Sequence, residues 1–341
     1  MFAISAAANT YATANYPGTR GNDIVISIES SVDETGKYIV KTKVGGVEYD
    51  SQTVAAASDL KANMWVTFKS SASLAATTGT ALSGGENGTV SGNDYQTFLN
   101  KLEAYSFNVL TSDVTEKSTK ALFAAYTKRM RDDVGVKFQC VLYKYEEADY
   151  YGVISVENSV LDNGAKESSL VYWVAGKEAG CNLAGSLANT KYDGEYSVNA
   201  DYTSTQLAAA LKAGKLILHR QGNEIRVLDD INAYISVTED VGEEFTNNQT
   251  IRVIDQFAGD SARIFADKYY GKINNTPVGR NALRNDIVKI LDEYVQLGAV
   301  EEYDSGDIKV DIGDSKREVT LAAYIQIAET MGKLYATVHI G

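Results

Sequence analysis

The spacing of apolar residues changes twice along the 341 residues. A chain that moves from a two-residue repeat to a helical repeat and then reorders its elements cannot be one uniform architecture. Residues 1 to 81 carry short alternating runs, Ile24 to Ile28 and Tyr38 to Thr42, with turn residues Asp33 to Lys37 between them and Gly45-Gly46 after them. Asp59 to Asn63 reads as a single helical turn before the strand Met64 to Phe68. This pattern predicts a small β-sandwich-type domain.

From 82 to 229 helical and strand-like stretches alternate. Tyr95, Phe98, Leu99 and Leu102 recur at helical spacing behind an Asn93 or Asp94 cap, and Leu122, Phe123, Tyr126 and Met130 mark a second helix that stops near Gly135. Strands are expected at 107–110, 136–143, 152–156 and 215–219, with helices at 168–180 and 204–213. Such alternation is the mark of a largely parallel sheet covered by helices. From 230 to 341 helices come first and strands after, an α+β order. Ile251, Ile254, Ala258 and Phe265 line one expected helix. Leu283, Ile287, Ile290, Leu291 and Tyr294 form the core stripe of another. Strands are expected at 308–312 and 319–327. The final stretch alternates Leu334, Ala336, Val338 and Ile340 against Tyr335, Thr337 and His339, which reads as a terminal strand that must join its own sheet or a neighbour's. The expected fold class is therefore multidomain α/β and α+β.

The charge and residue inventory narrows function. Lys plus Arg is 32 against 45 for Asp plus Glu, a formal charge of −13, which disfavours a phosphate backbone or an anionic membrane surface. No nucleic-acid partner and no membrane insertion are expected. No run of about 18 apolar residues occurs, and the first residues lack the basic-then-apolar order of a secretory signal. Without that context, the Asn-Xaa-Thr matches at Asn87 and Asn248 are not read as glycan sites.

With only two histidines, His219 and His339, and two cysteines, Cys140 and Cys181, no zinc spacing such as CxxC or HExxH arises. No disulfide framework is possible. Cys140 is expected buried in a strand beside Phe138 and Leu142. No GxSxG elbow accompanies His219, and the glycines of Leu82 to Thr89 satisfy neither GxxxxGK[ST] nor GxGxxG. Leucine follows Gly214-Lys215 where a phosphate loop needs a hydroxyl. The adjacent carboxylates Glu146-Glu147 and Asp229-Asp230 are read as solvated surface groups. No catalytic residue, cofactor site or metal site is expected, and the chain is read as no enzyme.

A set of motifs in one order gives a sharper reading. Gly18-Thr19-Arg20-Gly21-Asn22-Asp23-Ile24, Leu82-Ser83-Gly84-Gly85-Glu86-Asn87-Gly88 and the stretch Arg129 to Lys137 lead it. Glu157-Asn158, Trp173 to Gly176, Tyr192-Asp193-Gly194 and Val227 to Asn232 follow. Ile251 to Asp255, Gly271 to Asn275, Gly279-Arg280 and Met331 to Val338 complete it. Together they resemble the tail sheath protein of contractile phage tails, prophages and related bacteriocin-like particles, over nearly the whole chain.

The resemblance implies a β-sandwich module over 1–81, a central subtilisin-like α/β domain without catalytic residues over 82–229, and a C-terminal α+β sheath domain over 230–341. It implies a virion structural protein that forms a helical six-fold assembly with copies of itself around a tail tube. Contraction of that assembly drives the tube through a cell envelope, with no nucleotide consumed. The implied partners are the tail tube, baseplate and tail terminator proteins, and the implied location is the virion tail, with the host cytoplasm during assembly. Terminal arms in the family add strands to a neighbour's C-terminal domain. The matching segment here is Leu334, Tyr335, Ala336, Thr337, Val338, His339 and Ile340. Arg280, Arg284, Lys289, Arg317 and Lys333 are the candidate tube-facing charges. Family members carry an extended arm before the Gly-Asn-Asp motif, which here starts about twenty residues in, so an N-terminal arm is expected to be lacking. Two other readings stay open on the residues alone: an α/β hydrolase-like enzyme, and an acidic surface-binding module.

Overall fold

The structure is a computed structural model that describes residues 5–339. The chain divides into two compact units, residues 1–95 and 96–341.

In the first unit, β1 (Ala12–Ala14), β2 (Ile24–Ser30), β3 (Tyr38–Val44), β4 (Val47–Val54), β5 (Val66–Phe68) and β6 (Thr77–Ala81) make two antiparallel sheets. Their orders are β4-β3-β2-β6 and β1-β5. Alternation drives the packing: Ile24, Ile26 and Ile28 point to one side of β2 and are buried with Val40, Val44, Val66 and Leu82. Both residues of the Gly45-Gly46 turn have positive φ, 58° and 87°, which a two-residue hairpin turn requires and glycine supplies without strain. The unit runs past residue 81, because Leu82 N–H donates to the Ile24 carbonyl and Ser83 bridges Ala8.

Helix α1 (Gly92–Leu102) carries the chain from the first unit into the second. Its start is set by Ser91, whose N–H and hydroxyl both donate to Asp94 at 2.8 and 2.6 Å, so Asp94 sits one turn inside the helix and Ser91 is the cap. Next come β7 (Val109–Ser112), α2 (Lys117–Arg129), β8 (Gln139–Tyr143), β9 (Val153–Val156), α3 (Leu170–Gly180), α4 (Ser204–Lys212) and β10 (Lys215–Leu216). The four strands pair in parallel in the order β10-β9-β8-β7. Every residue of β8 and β9 is buried, as a sheet covered on both faces demands. The strand expected at 215–219 is split, and β11 (Leu218–Gln221) turns away to pair antiparallel with β12 (Glu224–Val227).

The remaining elements are α5 (Asn248–Ile264), α6 (Pro277–Gln296), β13 (Ile308–Ile312) and β14 (Val319–Ala323). Leu283, Ile287, Ile290, Leu291 and Tyr294 are the buried face of α6, as the spacing predicts. In α5 the residues that enter this cluster are Val253, Phe257 and Ile264, joined by Phe265 of the π turn that follows, rather than Ile254 and Ala258, because the helix has a second buried side to satisfy. Strands β13 and β14 form a two-stranded antiparallel sheet. Among the described residues no strand follows them: residues 328–339 have no regular structure, and Leu334, Tyr335 and Val338 are 91%, 89% and 81% exposed. Residues 334–339 of the expected terminal strand therefore join no sheet among the described residues, and Ile340 lies outside them. No described helix is long and apolar enough to cross a membrane.

Candidate functional site

The parallel sheet is the first place to look for chemistry, since ligands in such folds gather at strand carboxyl ends. Beyond β9, Asn158 is fully buried, but both ends of its amide are spent on backbone: Nδ2 donates to the Asn199 and Leu218 carbonyls at 2.6 and 2.8 Å, and Oδ1 accepts from Leu218 N–H at 2.7 Å. Lys144 Nζ lies 3.2 Å from Ser159 Oγ, a pairing that could activate a serine only if the amine were neutral. Burial pulls the Lys144 amine down, yet its hydrogen bond to Tyr143 and the carboxylates of Glu157 and Glu167 outweigh that and hold it above its ordinary value. It stays an ammonium and takes no proton. His219 sits in β11 opposite Arg226. Burial pushes the Cys140 thiol up to about 12, leaving it a small apolar side chain, and Cys181 is also free. Among the described residues no group of His, Cys, Asp or Glu could hold a metal ion.

The sequence motifs instead mark joints. In the first unit Asn22 and Gly85 exchange two hydrogen bonds of 2.9 and 2.8 Å, locking the first motif onto the second. A Cβ on Gly85 would stand 2.4 Å from the Gly18 carbonyl, so only glycine permits the approach. In the second unit Trp173 Nε1 and Lys177 both donate to Asp193, at 2.8 and 2.9 Å. That contact joins the Trp173 and Tyr192 motifs.

The most heavily built joints hold α5 to the parallel-sheet layer. Arg131, in the π turn after α2, is 2% exposed and grips Asp255 of α5 through its two terminal nitrogens, Nη2 to Oδ1 at 2.7 Å. Three residues earlier on α5, Arg252 donates to Glu178 of α3 at 2.6 Å, to the Gly185 carbonyl at 2.8 Å and to Asp230 at 3.4 Å. Asp230 also accepts from Leu187 N–H and Asn248 Nδ2, at 2.9 and 3.0 Å. The side chains of Glu178 and Asp230 are each 1% exposed. This corrects the reading of Asp229-Asp230 as a solvated surface pair: Asp230 is buried because its partners come from α3 and α5, not from its sequence neighbours. Glu146 and Glu147 fit that reading better, paired with Lys215 and Lys117 at the partly exposed surface.

Two buried carboxylates share one guanidinium here, and burial, reinforced by Asp230, raises Glu178 well above its ordinary value of 4.5. The native state therefore keeps a proton that the unfolded chain releases. That contribution is complete below the unfolded value and is lost as pH rises through the folded one. Glu178→Gln, which carries the equivalent hydrogen atom at all pH, is expected to flatten the fall in stability above pH 4.5 seen by denaturant titration. An unchanged pH profile would show that the proton is not held at this site.

The five candidate tube-facing cations do not form one patch. Arg284 is committed internally, donating to the Ile308 carbonyl at 2.8 Å and to the Ser305 carbonyl. Lys289 pairs with Asp286 at 2.9 Å, and Lys333 lies on the exposed tail. Arg280 and Arg317 come together with Lys272 and Lys316 around one cavity of about 370 Å³ beyond the end of α5. Sequence reading missed Lys272 and Lys316 as members of this group.

Comparison with known proteins accounts for nearly all of the chain. The phage tail sheath protein beta-sandwich domain matches residues 3–87, the phage tail sheath protein central domain 88–233 and the phage tail sheath C-terminal domain 240–341. The crystal structure of the sheath tail protein of Desulfitobacterium hafniense is similar, with a TM-score of 0.81 and 36% identity, covering 99% of this chain and 81% of that one. The XkdK protein of the Bacillus subtilis phage-like element PBSX is 29% identical, over 96% of this chain and 77% of its own length. The helical sheath of the anti-feeding prophage in its contracted state shares the fold, with a TM-score of 0.54 at 11% identity, over 73% of this chain and 74% of that chain. With three consecutive domain matches and a relative of this identity and coverage, the chain belongs to the phage tail sheath protein family.

Proposed function

We propose that this structural sheath protein polymerises as a six-fold helix around a tail tube and contracts to drive the tube through a cell envelope. The observation that carries this reading is the C-terminal segment: residues 334–339 are exposed and unpaired, while β13 and β14 form a sheet of only two strands. Residues 334–340 of one copy would add as a strand to the β13–β14 sheet of a neighbour. A row of main-chain hydrogen bonds on an extended arm persists while the bodies it links rotate. The Arg131–Asp255 and Arg252–Glu178–Asp230 joints support the same mechanism, since they make the parallel-sheet layer and the C-terminal helices turn together.

In this reading the three blocks expected from the sequence, 1–81, 82–229 and 230–341, are the working domains, and the central one takes the subtilisin-like arrangement as an inert scaffold. Tube contact falls to Lys289 and Lys333, whose cations stand outside the cavity. Each exposed pair contributes only about 0 to 1 kcal/mol, so repetition along the polymer supplies the grip. Baseplate and terminator proteins would bound the polymer, which assembles in the host cytoplasm and works in the virion tail. Negative-stain electron microscopy of the concentrated protein tests this. Ordered hollow tubes are expected; a uniformly monomeric preparation with stoichiometric serine labelling by a phosphonate would instead establish a hydrolase.

A further inference from the structure

The cavity beyond α5 stands out against the charge of the whole molecule. Four cations, Lys272, Arg280, Lys316 and Arg317, line it with no carboxylate among the lining residues, in a chain whose formal charge is −13. It is a built feature. Asn275 Nδ2 donates to the Lys316 and Glu318 carbonyls at 3.1 and 2.7 Å, and Arg280 Nη1 donates to Asn275 Oδ1 at 2.8 Å. The turn that carries Lys316 and Arg317 is thereby pinned to the start of α6. Glu318, the nearest acid in sequence, is turned toward the Ser315 N–H at 3.2 Å. Tyr270 and Ile273, 70% and 51% exposed, add apolar surface to the wall.

The complementary feature precedes the other end of the same helix. Residues 235–246 carry Glu239, Asp240, Glu243 and Glu244, all exposed, and none is ion-paired among the described residues. Beside them Ile235 and Val237 are each 49% exposed. This loop is also held in shape. Ile235 and Ser236 N–H donate to Asp149 Oδ1 at 2.8 and 3.0 Å, and Tyr234 Oη donates to the Ser236 and Val241 carbonyls at 2.8 and 3.1 Å. Thr238 and Val241 close the tip.

Between loop and cavity runs α5, whose 17 residues span about 25 Å at 1.5 Å per residue. The acid of one molecule cannot reach the base of the same molecule, but it can reach that of another. We propose that the acidic loop 238–244 of one copy docks into the cavity formed by Lys272, Arg280, Lys316 and Arg317 of the next, a head-to-tail contact separate from strand addition. Complementary surfaces at opposite ends make a heterologous contact, which runs on into a ring or an open helix rather than a closed pair. Both surfaces are preorganised, so little ordering opposes the contact, and arginine forks suit the carboxylates. The inference rests on the self-assembly reading above.

Carbodiimide cross-linking of an equal mixture of light and heavy-isotope protein tests it, because the reagent joins a carboxylate to an amine only where they touch. Mixed-isotope peptides linking residues 239–244 to Lys272 or Lys316 are expected, reduced at least tenfold in 0.5 M salt. They should also be lost in Lys316→Glu/Arg317→Glu. Sedimentation supplies the second measurement: that variant and Glu239→Lys/Asp240→Lys should each fail to pellet as polymer. The four substitutions in one chain should recover pelleting. Tubes whose cross-links lie elsewhere, or cavity lysines that link only to added tube protein, would overturn this contact and leave the sheath reading standing. Protein that shows neither cross-links nor tubes would overturn both.

Discussion

Arg252→Met is expected to destabilise the second unit by about 3 to 5 kcal/mol, the usual consequence of leaving buried charge without its partner. The guanidinium donates to Glu178, Asp230 and the Gly185 carbonyl from a position itself only 13% exposed. Methionine fills much of its volume but offers no donor, so two carboxylates of 1% exposure would face each other. At a pH high enough to strip the raised Glu178 proton, both are ionised, and adding Glu178→Gln should there recover more than about 1 kcal/mol of the loss, the signature of coupled neighbours. Urea denaturation of the single and double variants reads both numbers. A single-variant loss below about 1 kcal/mol, typical of exposed pairs, would mean that the cluster does not hold α5 to α3. Under the proposed contraction mechanism, tube formation should suffer with the fold, because C-terminal helices that tilt independently of the sheet layer would not pass a rotation on.

Deleting residues 334–341 should produce the opposite combination, an intact monomer with no ordered tubes. The described part of this segment is almost fully exposed and contributes no core contact, so thermal unfolding should match that of the parent chain. Tail contacts to the body end earlier, where Gln249 Nε2 donates to the Ala328 carbonyl at 2.9 Å and Thr250 Oγ1 to Glu329 at 2.9 Å. A cut at 334 spares them. Normal tubes from the deletion, seen by electron microscopy, would remove strand addition as the link between copies. Loss of the folded monomer would show instead that the tail packs on its own chain.

The order of architectures was legible because it depends on periodicity, which is local. The stripe on α6 could be read residue by residue, since a helix that buries a single face displays that face in its spacing. Helix α5 defeated the same method. It offers Val253 and Phe257 to the C-terminal core and Arg252 and Asp255 to the sheet layer, so no single stripe describes it. Asp230 was misread for a related reason: the test applied to it asked where adjacent side chains point, whereas its partners Glu178 and Arg252 lie 52 residues before it and 22 after.

By itself, then, the sequence determined the succession of β, alternating and α+β blocks, the interior face of α6, the motifs of the family and the poverty of catalytic side chains. Each of these follows from residue type and spacing along the chain. Only the tertiary structure decided that Arg131, Arg252, Glu178, Asp230 and Asp255 are joints. Only it gathered four cations around one cavity and left 334–339 without a strand to pair with. Those outcomes depend on which distant backbones are brought within hydrogen-bonding reach, and burial then converts ordinary surface charges into strong, specific contacts.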